Sequence, residues 1–221
     1  MKRIFFSVCF IAILYSCSSN NDTQTQDNQN NNFYALTVGN SWEYRWYNIN
    51  NEGFENPTDV YETVSIVGTE DFNGIEYFKF SRVVTGNLYG FRPYVPEDGE
   101  HFEYYRDSLG FLVNQNGYIK FTNTHQNYIS ETSTLYSTGQ GEFTYSGYAE
   151  LQDEQVDYTT NAGTFNCKEV IIEYINENGD AYLAKNHYYY AEGIGLIKED
   201  NVFLGSENTA DHRKLEFYNV Q

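Results

Sequence analysis

Residues able to do chemistry are plentiful in this chain, but they are not grouped as most chemistries require. Histidines stand at His101, His125, His187 and His212, without the close spacing that sets two imidazoles on one metal, and they read as surface or packing residues. Neither a Gly-x-Ser-x-Gly elbow nor a His-Glu-x-x-His run occurs. Carboxylates are abundant, at 31 Asp and Glu, yet glycosidase chemistry needs one pair held roughly 5–10 Å apart in a cleft, and no pair is singled out. The chain therefore reads as a non-enzyme, with no catalytic residue and no metal ligand assigned. No cofactor is expected beyond a weak case for calcium. Asn48-Ile49-Asn50-Asn51-Glu52-Gly53 with Asp59, and Glu97-Asp98-Gly99-Glu100, are oxygen-rich turns of the kind that hold hard cations. Solvated turns are the commoner use of such sequences.

Aromatic residues are the more telling feature. They form 18% of the chain, with 22 Tyr and 16 Phe. Trp42 and Trp46, Tyr104 and Tyr105, and the run Tyr188-Tyr189-Tyr190 are the candidate ligand-binding residues, because Trp and Tyr rings suit neutral sugars and apolar ligands. Consecutive strand residues point to opposite faces. Both faces therefore carry rings, and either the sheet is covered on both sides or one face offers an aromatic surface. Packing and strand propensity are the blander account.

The elements that must position these rings are strands. Period-two patterns recur, such as Trp42, Tyr44 and Trp46, or Val60, Glu62, Val64 and Ile66. Asn73-Gly74, Gln115-Asn116-Gly117 and Asn178-Gly179 lie between strand-like runs and predict hairpins. Asn87 to Glu100 predicts a loop, Leu109 to Val113 a strand, Tyr128 to Tyr136 a loop or edge strand, and Gly147 a bulge. Short strands are also expected at Phe203-Leu204 and Leu215 to Tyr218. No helix is expected after the first residues. About ten strands joined by short turns give an all-β fold, an antiparallel meander forming a strongly curved sheet, half-barrel or barrel, with a two-sheet β-sandwich as the alternative.

The first residues carry an address. Lys2 and Arg3 precede the apolar run Ile4 to Tyr15, too short to span a membrane and of the right length for a signal peptide. Leu14-Tyr15-Ser16-Cys17 resembles a bacterial lipobox. Residues 1–16 are then a lipoprotein signal peptide, and Cys17 is the lipid attachment point, a palmitate-type membrane anchor. Residues 17–32 form a disordered polar tether, for Ser18 to Asn32 contains no apolar residue. Residues 33–221 form one β-rich domain. Cys9 leaves with the signal and Cys17 takes lipid, so Cys167 is left alone as a buried, inert thiol. The net charge of −18, more negative once Lys2 and Arg3 are removed, excludes nucleic acid as a partner.

Three stretches resemble a group of envelope lipoproteins common in Bacteroidota. They are Leu36-Thr37-Val38-Gly39-Asn40-Ser41-Trp42-Glu43-Tyr44, with Ala35 where that group usually has proline; Gly163-Thr164-Phe165-Asn166-Cys167-Lys168; and Tyr189-Tyr190-Ala191-Glu192-Gly193-Ile194-Gly195-Leu196-Ile197-Lys198. The resemblance implies a β-rich domain on a lipid anchor, broadly similar to the curved sheets of the Lol-type lipoprotein carriers but without their helices. It implies no assigned activity. Ser18 after the lipidated position suits the outer membrane by resemblance to enterobacterial sorting, with the periplasmic or surface face left open. The expected function is that of an envelope-anchored lipoprotein, a non-enzymatic binding module for a neutral glycan or apolar ligand. The alternative is a structural or accessory lipoprotein of an envelope protein assembly, and a hydrolase is the least favoured reading. Expected partners are the bilayer, through Cys17, and a glycan, a lipid or an envelope protein.

Overall fold

The computed structural model describes residues 32–221, except 51, 53, 91–94, 125–126, 138–140 and 203–208. Cys17, the signal and most of the tether lie outside the described residues, as do His125 and the Phe203-Leu204 strand. A compact unit spans Asn31–Gln221.

Among the described residues, thirteen strands follow in sequence: β1 (Ser41–Ile49), β2 (Glu55–Phe72), β3 (Ile75–Thr85), β4 (Gly99–Ser108), β5 (Phe111–Asn114), β6 (Ile119–Thr122), β7 (Tyr128–Ser137), β8 (Gly141–Leu151), β9 (Val156–Thr160), β10 (Gly163–Asn176), β11 (Ala181–Ala191), β12 (Gly195–Val202) and β13 (Thr209–Asn219). One 3-10 turn, Leu88–Gly90, is the other regular element among them. No helix is long and apolar enough to cross a membrane.

All thirteen strands belong to one antiparallel sheet, twelve of them in the order β6-β5-β4-β3-β2-β1-β13-β12-β11-β10-β8-β7 and β9 paired off this path with β10. The first and last strands are neighbours, with Ser41 opposite Asn219, and Gln221 N–H donates to Asn40 Oδ1 at 3.0 Å. The sheet curls into a nearly closed barrel, which resolves the barrel-or-sandwich alternative. Its end strands β6 and β7 approach each other without a hydrogen-bonded ladder among the described residues.

Turn chemistry follows the sequence closely. Asn73 (φ 58°) and Gly74 (φ 80°) take the two left-handed positions of a tight hairpin between β2 and β3. A further hairpin was not expected. Leu109 (φ 57°) and Gly110 (φ 88°) turn the chain between β4 and β5, so Leu109 is a fully presented turn residue and not part of a strand. Asp107 Oδ1 accepts from Gly110 N–H at 2.8 Å and stabilises that turn. The expected bulge at Gly147 lies instead on the partner strand: the β7 register slips between Ile129 and Glu131, opposite Gly147. Ser130 Oγ donates to Gly147 O at 3.0 Å, and a Cβ on Gly147 would meet that hydroxyl at 2.5 Å.

The three stretches quoted for the family resemblance meet in space. Trp42 Nε1 donates to Ile194 O at 2.7 Å and Tyr44 Oη to Leu196 O at 2.9 Å. Cys167 stands opposite Ala191. Ala35 adopts φ 52°, which a proline, locked near −65°, could not.

The core fills the barrel. Phe33, Tyr34 and Ala35 enter it ahead of β1 and are 2–3% exposed. Phe33 stacks on Phe121, Tyr34 Oη donates to Gly110 O at 2.5 Å, and Gly193 N–H donates to Phe33 O. This short segment ties the β4–β5 turn to the β11–β12 turn and covers that end of the barrel. Fully buried Ile66, Val170, Ile197 and Leu215 line the walls, each contributing roughly 1.5–3 kcal/mol by leaving water.

Outside the barrel, the β9–β10 hairpin folds over the neighbouring strands. β9 and β8 share one edge of β10, β9 along Gly163–Cys167 and β8 along Val170–Asn176. Tyr158 of β9 packs on Tyr189 (centroids 5.4 Å apart), Phe165 on Tyr218 (5.8 Å), and Asn161 donates to Glu216. The sheet is therefore covered on both sides here, which accounts for rings on both faces of β11.

Candidate functional site

Strand alternation puts five charged side chains among the inward-facing rings. On β2 the inward row is Thr58, Val60, Glu62 and Ile66, all buried. Arg82 of β3, Glu103 of β4, Glu199 of β12 and Arg213 of β13 meet it from neighbouring strands. Arg213 reaches Glu62 at 2.5 Å through Nη1 and Glu199 at 2.7 Å through Nη2. Arg82 grips Glu62 through Nη2 at 2.5 Å and Nε at 3.0 Å, and reaches Glu103 at 3.1 Å through Nη1. Trp46 Nε1 gives Glu62 a further donor at 2.7 Å. Burial alone would raise the Glu62 pKa, but Arg213 and Arg82 hold it below the usual carboxylate range. Burial works the same way on Glu199, yet Arg213, Lys120 and Arg82 bring it down to about 2. A buried charge persists only when paired in this way.

The network forms one wall of an interior chamber. A 60 Å³ cavity is bounded by the apolar faces of Trp42, Val64, Phe80, Leu112 and Leu196, with Arg82, Glu103, Lys120 and Arg213 on its polar side. Tyr105 and Lys120 also border a second cavity of 180 Å³, lined further by Asn114, Ser130, Tyr174 and Tyr188 behind the β6 and β7 edges. The two cavities thus share a boundary at Tyr105 and Lys120.

Around that boundary several polar groups make no hydrogen bond to a described residue. The Lys120 ammonium lies 5.7 Å from the Tyr105 ring centre and 6.0 Å from that of Tyr188, with no hydrogen bond or ion pair to a described residue. The same holds for the hydroxyls of Tyr105, Tyr188 and Tyr190. None of these is among the sealed, unpartnered atoms of the described residues. Tyr190 itself is only 5% exposed. Glu103 receives Arg82 on one oxygen; Lys120 and then Arg82 lower its pKa against the effect of burial.

The seven candidate binding residues do not form one platform. Trp42 is buried against Phe80 (6.3 Å, stacked) and shows the cavity its ring. Trp46 is fully buried, bonded to Glu62, and belongs to a separate core patch with Val60, Val84 and Val95. Tyr104 lies on the outer face against Phe72, and Tyr189 lies on the outer face under Tyr158. Tyr105, Tyr188 and Tyr190 face inward and line the chamber. Sequence reasoning missed Lys120, Glu103, Arg82, Arg213 and Glu199; the available signal was charge on an inward row, visible where Glu62 falls in register with Val60 and Ile66.

The remaining candidates have structural roles. His101 Nε2 meets Glu97 O at 2.8 Å, and His187 Nδ1 meets Glu169 at 2.6 Å. His212 is fully buried, stacked on Tyr47. In the proposed calcium turns, Asn50 Oδ1 accepts from Glu52 and Phe54 N–H, Asp98 Oδ1 from Asn87 N–H, and Glu100 from Ser81. No group of three metal-ligating side chains occurs among the described residues. Cys167 is buried, and burial pushes its thiol up to about 12.

No family model matches the chain, and no curated protein matches it. Among solved structures it is similar to a protein of Bacteroides fragilis taken to be exported and having a YmcC-like fold. The two share 11% identity with a TM-score of 0.47, over 85% of this chain and 98% of that one. It is also similar to a protein of Parabacteroides distasonis taken to be a lipoprotein, at 14% identity and a TM-score of 0.43, with the same coverage.

Proposed function

We propose that this chain is an envelope lipoprotein whose barrel is a non-enzymatic binding module, holding a small neutral ligand in its interior chamber. The observation that carries the reading is the chamber itself, in which aromatic walls meet a polar side where the Lys120 ammonium and three tyrosine hydroxyls make no hydrogen bond to a described residue. Buried polar groups in folded proteins are almost always satisfied, and groups left open along a cavity are the usual mark of a ligand site. The envelope address rests on Lys2 to Cys17 and on the three resemblance stretches. A lipid on Cys17 and an outer-membrane location belong to the same proposal.

Thermal unfolding of residues 17–221 with Cys17→Ser, against glycans, lipids and calcium, tests it. A ligand at 100 times its dissociation constant adds about 2.7 kcal/mol, which raises the midpoint by roughly 5–10 °C in a domain of this size. No shift with any class would remove the reading.

A second reading is an accessory protein docking through the β7 edge. It is favoured by Ile129 and Tyr148, cross-strand partners beside that edge that are 53% and 45% exposed. Crosslinking in cells should then capture one dominant partner.

A further inference from the structure

The chamber's charges and open hydrogen-bonding groups narrow the ligand's chemistry. Arg82, Arg213 and Lys120 are balanced by Glu62, Glu103 and Glu199. A charged ligand group buried here would find no spare counter-charge, and a carboxylate or phosphate brought to Lys120 would also face Glu103, whose charged form Lys120 already favours. A purely apolar ligand fares no better. It would displace water from the Lys120 ammonium and from the hydroxyls of Tyr105, Tyr188 and Tyr190, giving them nothing in return. What remains is a ligand with an apolar face and a neutral edge that both donates and accepts.

Resting on the binding-module reading above, we infer that the chamber recognises a neutral sugar ring or similar polyol, with Lys120 donating to one hydroxyl and Glu103 accepting from its neighbour. The ring's C–H face lies against Tyr105 and Tyr188, whose rings already flank the Lys120 ammonium. The Tyr190 hydroxyl, on a side chain 5% exposed that borders the adjoining 60 Å³ cavity, supplies a further donor or acceptor to the edge that reaches past Lys120. The ring sits in the 180 Å³ cavity, and its hydroxyl-bearing edge passes Lys120, which borders both cavities, to reach Glu103 in the 60 Å³ cavity.

The test uses residues 17–221 with Cys17→Ser, titrated calorimetrically with glucose, galactose, mannose, N-acetylglucosamine, glucuronate and decanol. One neutral sugar should bind, and glucuronate more weakly than its neutral counterpart. Lys120→Met, which keeps the stem and removes the donors, and Tyr188→Phe should each weaken that sugar, Lys120→Met by roughly tenfold or more as a charge-assisted hydrogen bond is lost. Unliganded melting curves of both variants report folding, and Tyr188→Phe removes one cavity-lining hydroxyl only. Decanol binding without any sugar binding overturns this inference and leaves the binding module standing. Binding by none of the probes overturns both. A sugar whose affinity is untouched by either variant binds elsewhere, which also overturns the assignment.

Discussion

Arg213 on β13 donates to Glu62 on β2 at 2.5 Å, although 151 residues separate them. The two strands flank β1, so the pair spans the join between the chain's first and last strands, with the Trp46 indole bonded to the same carboxylate. Removing one member of a buried pair leaves its partner's charge uncompensated, which costs roughly 3–5 kcal/mol. Glu62→Ala, which strands both Arg82 and Arg213, should lower the melting midpoint by roughly 10 °C. Glu62→Gln should fall between that and wild type, and a Glu62→Ala midpoint within a degree of wild type would contradict this account.

Gly86 has φ +88°, and a Cβ there would lie 2.1 Å from the Asp59 carbonyl oxygen. Both the left-handed backbone and the approach of a main chain that cannot swing away oppose any side chain. Gly86→Ala should destabilise by at least 1 kcal/mol, whereas Gly74→Ala, where the Cβ meets open space, should cost only the backbone strain. Chemical denaturation of the two variants side by side separates the effects.

His212 ties stability to pH. Burial first, and then Lys198, depress its pKa from 6.5 to about 4, against the pull of Glu55. Its Nε2 lies 3.3 Å from Glu55 without hydrogen-bond geometry. Between pH 6.5 and 4 the unfolded chain binds this proton and the folded chain does not, so stability falls as pH falls, by up to about 1.4 kcal/mol per unit. Melting midpoints from pH 7 to pH 5, above most carboxylate titration, should slope downward in wild type and flatten in His212→Gln, whatever that variant's absolute midpoint.

Cys167 should resist thiol reagents in the native state. It is fully buried, Sγ lies 3.5 Å from Phe165 O, and its raised pKa leaves almost no thiolate at neutral pH. Ellman's reagent should report no reactive thiol in folded residues 17–221 carrying Cys17→Ser, and one on addition of guanidinium. Rapid native labelling would show that the β9–β10 hairpin opens readily.

Lipidation at Cys17 predicts that globomycin makes the unprocessed precursor accumulate in cells. Cys17→Ser should remove lipid labelling altogether. Unchanged processing under the inhibitor would make this an ordinary secreted protein.

Much of the strand pattern was legible because it depends on neighbours in the chain. Trp42, Tyr44 and Trp46 alternate inward as their spacing dictates, and Asn73-Gly74 turns as its two left-handed backbone positions allow. The β4–β5 turn was not legible, since Leu109 carries no turn preference and takes φ 57° only because Gly110 and the Asp107 cap complete the hairpin around it. Of the candidate site, Tyr105, Tyr188 and Tyr190 were named for their rings. Lys120 went unnamed because nothing near it in sequence marks it: β6 is four residues long, and its register slips between Leu112 and Val113 of β5.

Composition, alternation and turn residues, read from the sequence alone, determined an all-β meander with rings on both faces, because these are local preferences of strands and hairpins. The tertiary structure decided which face became interior. Closing the sheet sent Tyr188 and Tyr190 into the chamber, while the β9–β10 hairpin covered Tyr189. It also decided which charges share a site. Glu62, Arg82, Glu103, Glu199 and Arg213 come from five strands, and only closure removes the water that would otherwise screen them, making their pairing and the open groups beside it matter.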